Sequence, residues 1–154
     1  MLGLRNLEKT GTKMASRAWV FDSSVVLRAA LGDSEAAKSW IESAKARGDR
    51  MILSRFGELE VQRTLLRKGR SLNTANEILD EFVFVTVNDS LLRLAASIPF
   101  NLSGADSVHV ATALRLGNHI VGMVTHDREM AEAAQSLGFT VVDPVTDDPR
   151  EPVA

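Results

Sequence analysis

The chain has 154 residues, 45% apolar and 25% charged, with a net charge of −2, which fits one globular domain long enough to bury a core. It contains no cysteine, which excludes disulfides, zinc–thiolate centres and thiol catalysis, and it suits a cytoplasmic setting. No apolar run is long enough to span a bilayer, so no membrane association is expected, and Met1–Lys13 lacks the apolar segment and cleavage site of a secretory signal.

In chain order, residues 1–17 read as an amino-terminal extension, with Met14 as an alternative start to Met1. Deleting Met1–Lys13 is expected to leave stability and activity almost unchanged, because the segment has little periodic apolar character. A strand Ala18–Phe21 follows, then helices Ser24–Leu31 and Ser34–Arg47 and a strand Met51–Leu53. Helices Phe56–Lys68 and Leu72–Phe82 lead to a strand Val83–Val87. Helices Ser90–Ala96 and Ala105–Leu116 precede a strand Val121–Val124, and helix Arg128–Leu137 precedes a last strand Thr140–Val142. The segment from Asp143 to Ala154 carries three prolines and mixed charge, so an irregular tail is expected. Gly32, Gly48, Gly69, Gly117 and Gly138 stand where helices should stop, and Ser34, Ser71, Asp89 and Ser103 where they should start. Strands alternating with helices predict an α/β fold, a parallel sheet covered on both faces.

Four carboxylates then become candidates for one site. Asp22 and Asp127 follow the first and fourth strands, and so leave at carboxyl ends, where open α/β sheets bind ligands. Glu60 lies in the helix leaving the second strand, and Asp106 in the first turn of the helix that feeds the fourth. Both therefore belong to the same sheet edge. Each has a plainer use: Asp22 and Asp127 can cap helices, Asp106 completes a capping box with Ser103, and Glu60 can be an ordinary helical glutamate. Independent caps have no reason to converge on one edge, and four like charges in one cleft call for a cation. Oxygen-only ligands select a hard ion, Mg²⁺ or Mn²⁺, which suits phosphodiester hydrolysis. Glu58 stands about 200° of helix rotation from Glu60, so only one of the two can face the cleft, and Glu60 is chosen.

Lesser signals surround this set. Arg55, Arg63, Arg67, Lys68 and Arg70 form a basic cluster that could track phosphates beside the cleft. His109 has apolar neighbours and is expected to pack or hydrogen-bond, His119 to lie at the surface, and His126 to stand at the rim of the site. The chain has no phosphate-cradling P-loop, no G-x-G-x-x-G and no G-x-S-x-G elbow, and where aspartyl-phosphate enzymes carry a second aspartate it has Ser24.

The ordered stretches Val20–Ser24, Ser54–Leu65, Gly104–Ala113 and Val124–Arg128 resemble those of PIN-domain ribonucleases, specifically the VapC toxins of bacterial toxin–antitoxin pairs. The resemblance covers Ala18 to Pro144, so residues 18–144 form the expected domain and 145–154 the tail. It implies a three-layer α/β/α fold with a five-stranded parallel sheet. It also implies Mg²⁺- or Mn²⁺-dependent cutting of structured RNA, a homodimer, and neutralisation by a VapB-like antitoxin. The acidic quartet of the family falls on Asp22, Glu60, Asp106 and Asp127 as metal and catalytic residues. Its small hydroxyl residues fall on Ser23 or Ser24 and on Thr125, which would orient a carboxylate or a water. The alternative is a catalytically degenerate PIN-like module that binds RNA or protein without cutting, and a short antitoxin frame just upstream would argue against it. Removing the Asp22 charge is expected to abolish cleavage and to leave folding intact or slightly more stable.

Overall fold

The computed structural model describes residues 17–145. The expectations for Met1–Lys13 and for the tail beyond Val145 lie outside the described residues.

The strands are β1 (Ala18–Phe21), β2 (Arg50–Ser54), β3 (Phe82–Val85), β4 (Gly122–Val124) and β5 (Thr140–Val142). The helices are α1 (Ser23–Leu31), α2 (Glu35–Arg47), α3 (Arg55–Arg67), α4 (Leu72–Leu79), α5 (Asp89–Ala96), α6 (Gly104–Leu116) and α7 (Arg128–Ser136). The sheet runs in the order β3-β2-β1-β4-β5, with every pair parallel. This is the α/β architecture expected.

Strand β1 lies at the centre, and its alternation builds both layers. Trp19 and Phe21 face one side, where they join Met51, Leu53 and Phe82 under α1, α2, α3 and α4. Ala18 and Val20 face the other, where Ile52 and Met123 pack beneath Val110 and Ala113 of α6 and Met130 of α7. Helix α5 closes over α6 through Leu91 and Ala95 against Val108 and Ala111.

Most element ends shift by a residue or so, and three differences have a visible cause. Helix α4 stops at Leu79, and Phe82 opens β3, because its buried ring stacks edge-on against Phe21 with centroids 5.0 Å apart. Asn88 rather than Asp89 caps α5, accepting from the Leu91 N–H at 2.9 Å. The start of the tail is held: Val145 is buried, and its N–H reaches Asp143 Oδ1 at 3.0 Å.

Two tertiary features had no sequence signal. Buried Asp49 accepts from Trp19 Nε1 at 3.2 Å and from Arg47 Nη2 at 2.9 Å, joining α2 to β1 at the sheet edge away from Asp22. At Gly122 a Cβ would lie 1.8 Å from the Thr140 carbonyl oxygen, so glycine is what lets β5 pair closely with β4.

Candidate active site

The chain builds outward from β1 through β2 to β3, then returns to place β4 on the other side of β1. The switch point of the sheet therefore lies between β1 and β4, where a crevice opens at the carboxyl ends of the strands. Asp22 leaves β1 at this point, with its N–H on the Val124 carbonyl at 3.0 Å, and Thr125 and Asp127 leave β4 beside it. A cleft of about 540 Å³ sits here, and Asp22, Glu60, Asp106 and Asp127 all line it. The four carboxylates, separated by up to 105 positions between Asp22 and Asp127, share one wall space as the sequence suggested.

The plain capping roles are also real. Asp22 Oδ1 accepts from the Ser24 N–H at 3.2 Å, Asp127 Oδ1 from Met130 N–H at 2.7 Å, and Ser103 Oγ from Asp106 N–H at 3.1 Å. Capping and convergence are not alternatives. Each helix starts at the carboxyl edge, and the cap fixes its acid there.

Hydroxyl groups orient the acids. Asp22 Oδ2 accepts from Ser24 Oγ at 2.8 Å and Thr125 Oγ1 at 3.0 Å, while Thr125 Oγ1 itself accepts from the Asp127 N–H at 3.0 Å. Fully buried Thr125 thus ties the first acid to the last. Ser23 Oγ donates to Glu60 Oε1 at 2.8 Å, so Ser23 and Ser24 serve different carboxylates.

Electrostatics separates the members of the quartet. Burial, then repulsion from Asp22 and Asp127, raises the Asp106 carboxyl above its ordinary 3.8, outweighing the opposite pull of His109 and Ser103. Burial also works to raise Glu60, but hydrogen bonds from His109 and Ser23 and the charge His109 can carry bring it below its ordinary 4.5.

Around the quartet the cluster of basic residues divides. Arg63 and Arg67, one turn apart on α3, line the cleft with Leu27 and Leu59. Arg55 turns away, pairing with Glu58 at 3.0 Å and lying 4.6 Å over the Phe84 ring. Glu60 lines the cleft and Glu58 does not. His119 is exposed as expected. His126 does not line the cleft; its Nδ1 lies 2.9 Å from Asp143 Oδ2. His109 is buried and meets Glu60, a link across 49 positions of sequence that sequence reasoning did not reach.

The sequence profile of the PIN domain family matches residues 19–136. The chain is also 33% identical over 127 residues to Ribonuclease VapC46 of Mycobacterium tuberculosis (strain ATCC 25618 / H37Rv), an alignment spanning 80% of this chain and 95% of that relative. The chain is a PIN-domain protein of the VapC family. The matched span of the PIN domain runs from β1 through α7 and so contains all four acids of the cleft. Among the described residues of this PIN domain, no helix is long and apolar enough to cross a membrane.

Can this cleft hold a cation? Its acids offer only hard oxygen donors, and the raised Asp106 carboxyl registers burial and the negative charge of Asp22 and Asp127, which His109 offsets only in part. Among the described residues, no three acidic or imidazole groups already close on one point. Such an acid set fits an ion that keeps part of its water shell, as Mg²⁺ does.

Proposed function

We propose that this VapC-type PIN domain is a divalent-metal-dependent endoribonuclease toxin that cuts structured RNA, tRNA or rRNA, and is neutralised by a VapB-like antitoxin. The observation carrying this proposal is the gathering of Asp22, Glu60, Asp106 and Asp127 in one cleft at the switch point of the sheet. The likeness to a relative named a ribonuclease supports the same class of reaction.

Asp22, Asp106 and Asp127 would hold Mg²⁺ or Mn²⁺, directly or through water, and Glu60 would hold or orient a water beside it. When bound, the ion would activate an attacking water and neutralise charge on the scissile phosphate. The chain's own groups do the rest. Thr125 and Ser24 fix the Asp22 carboxylate by donating to Oδ2. Ser23 and His109 engage Glu60 Oε1, and no donor among the described residues engages Oε2. Arg63 and Arg67 stand on the α3 wall, where they can meet backbone phosphates and align the strand across the acids.

The antitoxin is expected to act by the same chemistry, placing an arginine guanidinium among the carboxylates as a bidentate, permanently charged occupant. A homodimer is the assembly in which we place the domain. The deciding experiment incubates the purified full chain with folded tRNA and rRNA in Mg²⁺, Mn²⁺ or EDTA, beside Asp22→Asn. Discrete cuts that need the metal and vanish in Asp22→Asn are expected. Undiminished cutting by Asp22→Asn would refute the assignment, and RNA bound but never cut would favour a non-cleaving module.

A further inference from the structure

We propose that His109 is a positioning residue for Glu60: its buried imidazole anchors one carboxylate oxygen so that the other is presented to the cleft cation. The proposal deepens the functional assignment above and rests on the cleft being a divalent-metal site.

The geometry begins on α6, which carries Asp106 and His109 three residues apart and therefore on one stripe. Asp106 lines the cleft, while His109, only 1% exposed, is not part of its lining. His109 Nε2 stands 2.9 Å from Glu60 Oε1, the oxygen that Ser23 Oγ also engages at 2.8 Å. Two donors converging on one oxygen fix the carboxylate plane and leave the second oxygen to the cleft.

The tautomer follows from the surroundings. Nδ1 is buried with no hydrogen-bond partner. A proton on Nδ1 would be a buried, unsatisfied donor, and Nε2 would then turn a lone pair toward a carboxylate oxygen. A proton on Nε2 turns that clash into a donated bond to Glu60 and leaves Nδ1 as a buried acceptor without a partner.

Packing alone does not account for a histidine here. Its surroundings are Phe56, with ring centroids 6.3 Å apart, and Gly57, where a Cβ would come within 3.3 Å of His109 Cε1. A leucine or methionine would fill such a space without stranding a ring nitrogen, a cost that an interior usually avoids. Gly57 and Glu60 lie three apart on α3, and the absence of a side chain at Gly57 leaves room for Leu53 first and for the His109 ring beside it.

The test compares wild type, His109→Met and His109→Gln as full chains. Methionine fills the volume without a donor, and the glutamine amide can place an N–H near the Nε2 position. Mn²⁺ binding is measured by calorimetry without RNA, and the Mg²⁺ concentration for half-maximal RNA cleavage is measured separately. His109→Met should weaken Mn²⁺ binding and raise that Mg²⁺ concentration by about tenfold or more, as lost outer-shell support generally does. His109→Gln should recover most of the loss, with circular dichroism unchanged in both. Wild-type Mn²⁺ affinity in His109→Met, or equal impairment in two folded variants, would overturn the proposal. Should His109→Met not fold, Ser23→Ala removes the other donor to Oε1; a smaller but definite loss of Mn²⁺ affinity is expected, and none would overturn it. A wild type that binds Mn²⁺ yet cuts no RNA would defeat the nuclease assignment, while the Mn²⁺ comparison would still decide His109. A wild type that binds no Mn²⁺ would defeat both.

Discussion

At the scale of single residues, the four acids are not equivalent. Asp22 is almost fully buried, and its carboxylate accepts three hydrogen bonds, from Ser24 N–H, Ser24 Oγ and Thr125 Oγ1. Asparagine would turn an N–H toward one or more of these donors, at a cost of about 1–3 kcal/mol. These bonds weigh against the neutral or stabilising effect expected of Asp22→Asn, and relief of repulsion is better sought at Asp106. Its carboxyl is raised by burial and by Asp22 and Asp127, so its charge opposes folding. The unfolded group ionises near 3.8 and the folded one at higher pH, so wild-type stability falls across that window and stays reduced above it. Asp106→Asn should raise the melting temperature of the EDTA-treated protein at neutral pH, and the gain should vanish below the ordinary carboxylate value. Thermal melts from pH 3 to pH 8 check this; a gain that persists unchanged at the acid end would point to packing instead of charge.

At the scale of elements, α3 presents two different chemistries to two sides. Glu60, Arg63 and Arg67 recur every three or four residues and face the cleft, whereas Glu58 faces Arg55 in a surface ion pair. Such a pair contributes only about 0.5 kcal/mol. Glu58→Gln should keep cleavage within about twofold of wild type, given how little that pair contributes. Glu60→Gln should lose about 10-fold to 100-fold, the usual penalty for disturbing a metal's support. Initial rates on one RNA substrate rank the two, and the reverse order would put this helix face out of phase. The period of the helix was legible because 3.6 residues per turn is a local property. The end of α4 was not, because Phe82 leaves helix for strand only to meet Phe21 across the sheet.

At the scale of the whole molecule, a chain of net charge −2 that binds RNA as proposed needs a local cationic strip. Arg63 and Arg67 line the cleft and would supply it. Measured on the cleavage-impaired Asp22→Asn background, RNA affinity should fall with salt. Replacing both arginines with glutamine should flatten the logarithmic slope by about 1.5, from two lost phosphate contacts. Fluorescence anisotropy over a salt series reads this directly, and an unchanged slope would place the phosphate track elsewhere. Lys68 and Arg70, which do not line the cleft, should contribute less.

Much of this molecule was determined by the sequence alone. Strand and helix periods, the glycines and serines at helix ends, and the rule that parallel strands share a direction together put Asp22, Glu60, Asp106 and Asp127 on one sheet edge. That inference needed only local patterns and handedness. Tertiary structure decided what the acids touch. Thr125 bridging Asp22 to Asp127, Ser23 and His109 converging on Glu60, and Asp49 holding Trp19 all join residues brought together by the fold. A hydrogen bond depends on tenths of an ångström and on burial, and neither is encoded in the spacing of residues along the chain.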